Sequence, residues 1–362
     1  MKKLIIFTIV VLFSLSCIEQ EVKVGVALPL SGDQVVLGRA LLQGVELAAE
    51  EWNRRGGALR KKITLVVMDD EADPSKAKEV AKRLVDEKVI GVIGHMNSDC
   101  SIQASDIYAR AEIPMISPSS TSPALTDRNL RNIFRICGRD DAQMMVASDF
   151  ICGYLKPEKV FLIHDRSIYG ENLVKTLKGL IGKSIQIIGE GTVNSGDTTF
   201  PGLIEEVKSL NPELVFFGGV DPEAGHLVRQ MRKSGIKSQF MGGDGLASNG
   251  YLKIAGASAE GSFFTFGLPI EQLGSAAHFV RVFKEKFGVL SNYAVYAYDA
   301  FNVLLEAYCA SQGKSLIETL HKSNFDGAIG FISFDSKGDM IRAPYMVWTV
   351  KNGKMTPWVT GY

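Results

Sequence analysis

Short apolar runs alternate with stretches of helical periodicity along most of this 362-residue chain. The run VKVGVAL at 22–28 predicts a strand, and Leu41, Val45, Ala48 and Trp52 then fall on one helical face. Further strands are predicted in the first part of the chain at 63–69, 89–94 and 113–117. Continuous apolar strands separated by amphipathic helices indicate a parallel sheet that helices cover on both faces.

The same alternation restarts further along the chain. A helix is predicted near 140–155, and strands are predicted at 159–165, 184–191, 213–219 and 238–244. After about residue 275 the pattern changes to two long helices, predicted at 276–287 and 294–312, and then to short strands. Two α/β units in series predict two lobes.

Polar clusters directly follow the predicted strands in both units. They lie at 31–33, 97–99, 119–121, 165–169, 220–221 and 243–245. In an open parallel sheet, ligands bind beyond the carboxyl ends of the strands. Two lobes with polar residues at their strand ends therefore predict a ligand-binding cleft.

The charge balance narrows the classes of partner. Lys plus Arg and Asp plus Glu each number 40, and 46% of the residues are hydrophobic. Without a basic surplus, neither a nucleic acid nor an anionic membrane surface is an expected partner. The composition is that of a folded, near-neutral protein.

The N-terminus differs from the rest of the chain. MKKLIIFTIVVLFSLSC begins with two lysines, continues with an apolar core and ends in small residues before Cys17, which is the pattern of a secretory signal. Ser16-Cys17 resembles the lipobox of bacterial lipoproteins, although Ser14 stands where that box prefers Leu. We expect residues 1–17 to form a lipoprotein signal and Cys17 to carry lipid. Plain secretion and a retained membrane anchor are the alternatives.

The other cysteines and the histidines give no catalytic or metal pattern. The four remaining cysteines are spaced unlike a zinc site, and we expect buried single thiols without a disulfide: Cys100, Cys137, Cys152 and Cys309. His95 and His164 each end an apolar strand, where a structural role is favoured over that of a catalytic base. Ser98 has no partner nearby in the sequence that would make it a nucleophile. We therefore expect neither an enzyme nor a metal or other cofactor.

Nine short segments occur here in the order of a known family. They are Ser31-Gly32, DDEADP (69–74), GHMNSD with ASDIY, ISPSSTSPALT (116–126), HDRSIYGEN (164–172), QFMGGDG (239–245), SAEG (258–261), AYDA (297–300) and FDSKGD (334–339). Over roughly residues 22–350 the chain resembles the periplasmic leucine/isoleucine/valine-binding proteins. These are the type I solute-binding proteins of branched-chain amino-acid ABC importers.

The resemblance implies an α/β fold of two Rossmann-like lobes joined by three hinge crossings. The crossings would fall near 137–141, 265–268 and 341–344. Lobe 1 would then comprise 22–138 plus 268–341, and lobe 2 would comprise 139–267 plus 342–362. The lobes would close on the ligand by hinge motion.

The resemblance also implies a site for a zwitterion. The ligand's carboxylate would contact Ser98 through its hydroxyl and amide, Ser119 through its carbonyl, and Thr121 through its hydroxyl and amide. For Ser98 the alternative is a plain helix N-cap. Asp244 would accept the ammonium where the relatives carry Glu, and the alternative is a turn aspartate between two glycines.

The pocket for the ligand's side chain is expected to be roomier than in the relatives. Leu37 and Val220 align with aromatic positions of the family, whereas Tyr169 and Tyr293 keep aromatic character and Met96 an apolar one. Two aromatic side chains replaced by aliphatic ones suggest a longer or aromatic ligand.

The function implied is that of an extracytoplasmic solute-binding lipoprotein, in the periplasm or at the cell surface. It would be a monomer that captures an apolar amino acid and delivers it to ABC permease subunits. The first alternative is a binder of another carboxylate or amide, such as an aromatic acid or urea. A ligand sensor for a membrane receptor and, more remotely, an amide hydrolase are the others.

Overall fold

The computed structural model describes residues 21–359. The predicted signal at 1–17, and with it the proposed lipid site Cys17, lies outside the described residues. Between residues 21 and 359, no helix combines the length and the apolar character that crossing a bilayer requires.

The first sheet is parallel throughout, with the order β2-β1-β3-β4-β5. Its strands are β1 (Glu21–Leu28), β2 (Lys62–Asp69), β3 (Val92–Gly94), β4 (Met115–Ser117) and β5 (Ile133–Arg135). The three short strands are wholly buried. Their apolar runs therefore fit a sheet that is covered on both faces.

Helices α1 (Val35–Arg54), α2 (Pro74–Asp86) and α3 (Ser98–Arg110) connect these strands. The start of α2 is set locally, because the Asp73 carboxylate accepts the backbone N–H groups of Ser75 and Lys76, and Pro74 occupies the first helical position. An N-cap aspartate followed by proline is a typical helix start.

The later strands continue the numbering along the chain. They are β6 (Lys159–His164), β7 (Gln186–Thr192), β8 (Leu214–Gly218), β9 (Gln239–Gly242), β10 (Phe263–Phe266), β11 (Phe325–Gly327), β12 (Gly330–Ile332), β13 (Met346–Lys351) and β14 (Lys354–Pro357). The second sheet has the order β14-β13-β10-β9-β8-β6-β7, in which only β13 and β14 run antiparallel to their neighbours. Strands β11 and β12 pair with each other as an antiparallel hairpin.

The later helices are α4 (Asp140–Phe150), α5 (Ile168–Ile181), α6 (Pro201–Leu210), α7 (Asp221–Lys233), α8 (Asn249–Ala255), α9 (Ala277–Phe287), α10 (Ala294–Ser311) and α11 (Leu316–Lys322). Helix α4 packs on α5 beside the second sheet, whereas α10 packs on α1 and returns the chain to the first sheet. We call the five-stranded sheet with its helices the first lobe and the seven-stranded sheet with its helices the second lobe.

The chain passes between the lobes three times. It crosses between β5 and α4, between β10 and α9, and between β12 and β13. The three crossings implied by the resemblance are therefore present, while the residue-by-residue division of the lobes stays a prediction.

Strand and helix types agree with the sequence pattern, but several lengths do not. The strand predicted at 89–94 begins only at Val92, and the helix predicted near 140–155 ends as a π-helical turn at Ile151–Leu155. Strands β5 and β10 were not predicted from the sequence.

Candidate functional site

The two sheets share one strand order, and that order positions a cavity. In the first sheet β1 lies between β2 and β3, and in the second sheet β6 lies between β7 and β8. The winding of an open parallel sheet reverses at such a point, and the crevice there is where ligands bind. A cavity of about 240 Å³ lies between the lobes and is lined from the ends of β1, β3, β6 and β8.

The cavity brings together eight of the nine side chains that the sequence proposed. These are Leu37, Met96, Ser98, Ser119, Tyr169, Val220, Asp244 and Tyr293. The ninth, Thr121, does not line the cavity. It is only 1% exposed, and its carbonyl accepts the backbone N–H of Asp140 at 3.0 Å. Its contact with a ligand stays a prediction.

The N-terminus of α3 forms one wall of the cavity. Its N-cap residue is Asn97, whose side chain makes no capping hydrogen bond, and Ser98 is the first helical residue. The alternative that Ser98 is the N-cap is therefore wrong. Its Oγ accepts the Ser122 N–H at 3.3 Å, which leaves the hydroxyl proton to donate elsewhere. A helix N-terminus without a side-chain cap presents N–H groups and partial positive charge, which suits an anion.

Hydroxyl groups of β4 and of the loop that follows it bind the backbone just before the N-terminus of α3. Ser119 Oγ donates to the Met96 carbonyl at 3.1 Å. The carbonyl of His95 accepts the hydroxyls of Ser117 at 2.9 Å and Ser120 at 3.2 Å. These bonds join the ends of β3 and β4, so the position of the α3 N-terminus is fixed by buried hydroxyl groups.

The two histidines at strand ends have protein partners. His95 is fully buried, with Nδ1 at 2.7 Å from Asp70 Oδ2 and Nε2 at 3.2 Å from the Tyr108 hydroxyl. His164 Nδ1 accepts the backbone N–H of Arg166 at 3.1 Å. Neither residue lines the cavity, so both contacts are structural.

Asp244 lies on the opposite wall, in the second lobe. Its Oδ1 accepts hydrogen bonds from Gln143 Nε2 at 2.7 Å and from the Tyr169 hydroxyl at 2.8 Å. The carboxylate is 6% exposed, and burial raises its pKa, while the Gln143 and Tyr169 donors oppose that rise. Within residues 21–359 it forms no ion pair with a basic side chain. A buried carboxylate with two donors and no cation is suited to receive a ligand's ammonium group.

A second acid lies behind Asp244. Asp140, the first residue of α4, is fully buried, and burial together with the Asp244 carboxylate holds its pKa well above the ordinary value. The two donors to Asp244 stabilise its charge, and a negative charge at Asp244 disfavours a second one at Asp140.

Apolar side chains complete the cavity between these polar walls. Leu37 projects from α1, Met96 follows β3, and Val220 is the N-cap residue of α7. Tyr293 lies at the start of α10, and its hydroxyl donates to the Asp244 carbonyl at 2.5 Å, so it links the first lobe to the second. The cavity therefore has a donor-rich end, a carboxylate opposite it and apolar sides.

Some lining residues were not among the proposed site residues. They include Gln34, Ala72, Pro74, Asn97, Asp99, Asp165, Arg166, Ser167 and Ser195. The polar clusters at strand ends gave a signal for Asn97, Asp99 and 165–167. Gln34 and Ser195 lie in loops, and Gln143 lies inside α4, where a glutamine carries no sequence signal of a site.

A smaller cavity of about 40 Å³ lies among the three crossings. Residues from each crossing line it, among them Cys137, Leu268 and Tyr345. It shares Asp244 and Tyr293 with the larger cavity, so these two side chains form the partition between the cleft and the hinge.

The described part of the chain contains no group of three or more His, Cys, Asp or Glu side chains that could hold a metal ion. Cys100 and Cys137 are buried thiols, Cys309 is partly buried and Cys152 is exposed.

Comparison with known proteins agrees with this geometry. A family model described as periplasmic binding protein matches residues 21–354. A Leu/Ile/Val-binding protein homolog 2 of Brucella abortus is 38% identical over 340 residues, which cover 92% of this chain and 91% of the relative.

Two solved structures have closely similar folds. The leucine-binding protein LivK of Thermotoga maritima has a TM-score of 0.88 at 29% identity, over 93% of this chain and 98% of that one. The branched-chain amino acid transporter substrate-binding protein LivJ of Streptococcus pneumoniae, solved with isoleucine, has a TM-score of 0.87 at 28% identity, with the same coverage of 93% and 98%. The fold predicted from the resemblance is thereby confirmed.

Proposed function

Because this chain belongs to the periplasmic binding protein family, we propose that its cleft captures a zwitterionic amino acid with an apolar side chain. One observation carries the proposal. The N-terminus of α3, which has no side-chain cap, and the Asp244 carboxylate, which has no cation partner among the described residues, face the same cavity from opposite lobes. An amino acid has one anionic and one cationic group, and this cavity offers a complement to each.

In the proposed complex, the ligand's carboxylate accepts hydrogen bonds from the Ser98 hydroxyl and the first N–H groups of α3, with Ser119 and Thr121 beside it. The ammonium donates to Asp244. The side chain packs among Leu37, Val220 and the remaining apolar walls. Since the two charged ends bind different lobes, only the closed state satisfies both, and the ligand shifts the population toward closure.

The expected affinity follows from these contacts. Hydrogen bonds to charged groups contribute about 1.5–3 kcal/mol each, and association costs about 4–15 kcal/mol. Five or six such bonds and the burial of one apolar side chain together contribute about 9–21 kcal/mol, which exceeds the association cost over most of its range, so we expect net binding.

Family membership implies an extracytoplasmic protein, and the relatives are binding proteins rather than enzymes. The proposal adds that the chain is a monomer anchored by lipid on Cys17. It delivers its ligand to the permease of an ABC importer, which requires no chemistry in the cleft.

A thermal-shift screen of residues 18–362, which leaves out the signal and the proposed lipid site Cys17, tests the binding proposal. The panel contains the twenty amino acids, short amides and aromatic acids, including benzoate and urea. A ligand at 100 times its dissociation constant stabilises the fold by about 2.7 kcal/mol, which raises Tm measurably. We expect apolar amino acids to respond, with phenylalanine or another long side chain ahead of valine.

Ser98→Ala is the matched site variant, and Ser209→Ala on the exposed surface of α6 is its control. The site variant is expected to bind about tenfold to a hundredfold more weakly, because it loses one donor to a charged group. The control should bind as the wild type does. If every amino acid is silent and benzoate or urea responds, the alternative ligand class replaces the proposal.

A further inference from the structure

The first turn of α3, in the first lobe, contacts the first turn of α5, in the second lobe, beside the proposed ligand site. The Asp99 carboxylate of the first lobe accepts the backbone N–H of Ile168, at 3.2 Å from Oδ2. Ile168 is the first residue of α5, so a carboxylate of one lobe lies at a helix N-terminus of the other.

A second contact lies one turn further along α5. Asn172 Nδ2 donates to Ser122 Oγ at 2.8 Å. Neither residue lines the ligand cavity, whereas Asp99 does. The contact between Asn172 and Ser122 therefore joins the two lobes directly, and a molecule in the cavity is not needed to complete it.

The two partners differ in how firmly they are held. Ser122 is fully buried, its carbonyl accepts Arg135 Nη1 at 2.9 Å, and its N–H donates to Ser98 Oγ at 3.3 Å. Asn172 is half-buried on α5, and its amide finds this acceptor only in the other lobe. The first lobe thus presents a fixed hydroxyl group, and Asn172 reaches it when the lobes are together.

We propose that Asn172 and Ser122 form an interlobe clasp that stabilises the closed state and so sets the affinity by the same factor for every ligand. The clasp rests on the proposed function only in that ligand binding needs the closed state. Apparent affinity scales with the population of the competent state, so a contact that exists only in that state acts on all ligands alike. A residue that touches the ligand would instead change affinities unequally.

Asn172→Ala tests the clasp, with Lys175→Ala on the exposed face of the same helix as the matched control. Calorimetric titration with several amino acids of different side-chain size should show binding weakened about threefold to tenfold, the range for one neutral hydrogen bond. The factor should be the same for each ligand. Small-angle X-ray scattering without ligand should show a larger radius of gyration for Asn172→Ala than for the wild type or the control.

Ser122→Ala and the double variant complete a mutant cycle. The double variant should bind no more weakly than either single variant, because both remove the same bond. Unequal factors among the ligands, additive losses in the double variant, or an unchanged radius of gyration in Asn172→Ala would each overturn the clasp. If no amino acid binds at all, the proposed function fails, and the ligand-free scattering still decides the clasp by itself.

Discussion

Asp339 and Asp244 are both buried aspartates near the crossings, yet their surroundings are opposite. Asp339 accepts Arg135 Nε at 2.5 Å, Arg139 Nη1 at 2.8 Å and the Thr126 hydroxyl at 2.9 Å. Among residues 21–359, the side chains that donate to the Asp244 carboxylate are the neutral Gln143 and Tyr169. Basic side chains neutralise the charge of Asp339, whereas no basic side chain among residues 21–359 neutralises Asp244.

Asp339 stabilises the fold through ion pairs, whereas Asp244 is the carboxylate that we propose pairs with a ligand's ammonium group. Arg135 is fully buried and ties β5 to the loop before the third crossing, where its pairing with Asp339 compensates two desolvated charges. Asp244 reduces the stability of the unliganded protein, because its charge is buried without a cation. Stability given up at a site of this kind is regained when the ligand binds.

The largest effect should come from Asp339→Asn. The change leaves the Arg135 guanidinium buried without its countercharge, and we expect the free energy of unfolding to fall by about 3–5 kcal/mol. Urea denaturation followed by circular dichroism measures this loss. Asp127→Asn, which breaks an exposed pair with Arg139, is the control and should change stability little. Equal losses in the two variants would contradict the structural role of the buried pair.

Asp244→Asn should behave in the opposite way. The asparagine oxygen can still accept from Gln143 and Tyr169, while the buried negative charge disappears. We expect affinity for amino acids to fall about a hundredfold or more, and the free energy of unfolding of the unliganded protein to stay level or rise. Calorimetric titration and urea denaturation give the two values. A loss of stability like that of Asp339→Asn would show that the comparison between the two aspartates is wrong.

Glu223 is a third buried carboxylate, and it can be neutralised by protonation. The cost of its charge should therefore depend on pH, with a smaller effect on stability than at Asp339. Its Oε1 accepts the Gly196 N–H at 2.7 Å, and burial raises its pKa from 4.5 to about 7. Between these values the folded state binds more protons than the unfolded state, so this group's contribution to the free energy of unfolding falls as pH rises. The contribution of Glu223 to the free energy of unfolding does not change with pH below the unfolded pKa of 4.5 or well above pH 7.

Glu223→Gln should remove that slope. We expect the free energy of unfolding of the variant, relative to that of the wild type, to rise by about 2–3 kcal/mol from pH 5 to pH 8, as measured by urea denaturation at both values. Burial also raises the pKa of Asp299 to about 7, and Asp299 keeps its own slope in both proteins. A difference between variant and wild type that does not change with pH would refute the assignment.

The sequence predicted the elements whose pattern is local and long. Strand β1 was evident as a mostly apolar run, and helix α2 was evident because its apolar residues recur at helical spacing. The strand-end rule placed the polar clusters at 97–99 and 243–245 at the edge of the cleft. The ligand roles of Ser98 and Asp244 came from the resemblance to the family and stay predictions.

Other parts of the site depend on distances that no local pattern encodes. Gln143 reaches Asp244 across 101 positions, and Asn172 reaches Ser122 across 50. Thr121 follows the same strand as Ser119 but does not line the cavity, and its backbone carbonyl accepts the N–H of Asp140. Contacts with the other lobe decide which of two polar residues in one loop lines the cleft, and the local sequence does not encode those contacts.

The three crossings also limit how the lobes can move. With a single linker, one lobe could rotate about the linker axis. Three parallel crossings resist this rotation, because it would have to twist all three segments at once. We therefore expect closure to follow a single hinge motion that brings the N-terminus of α3 and Asp244 together in one alignment. In the proposed complex, a ligand bound in the open cleft would then need only this closing motion to contact both lobes, without a search for their relative orientation.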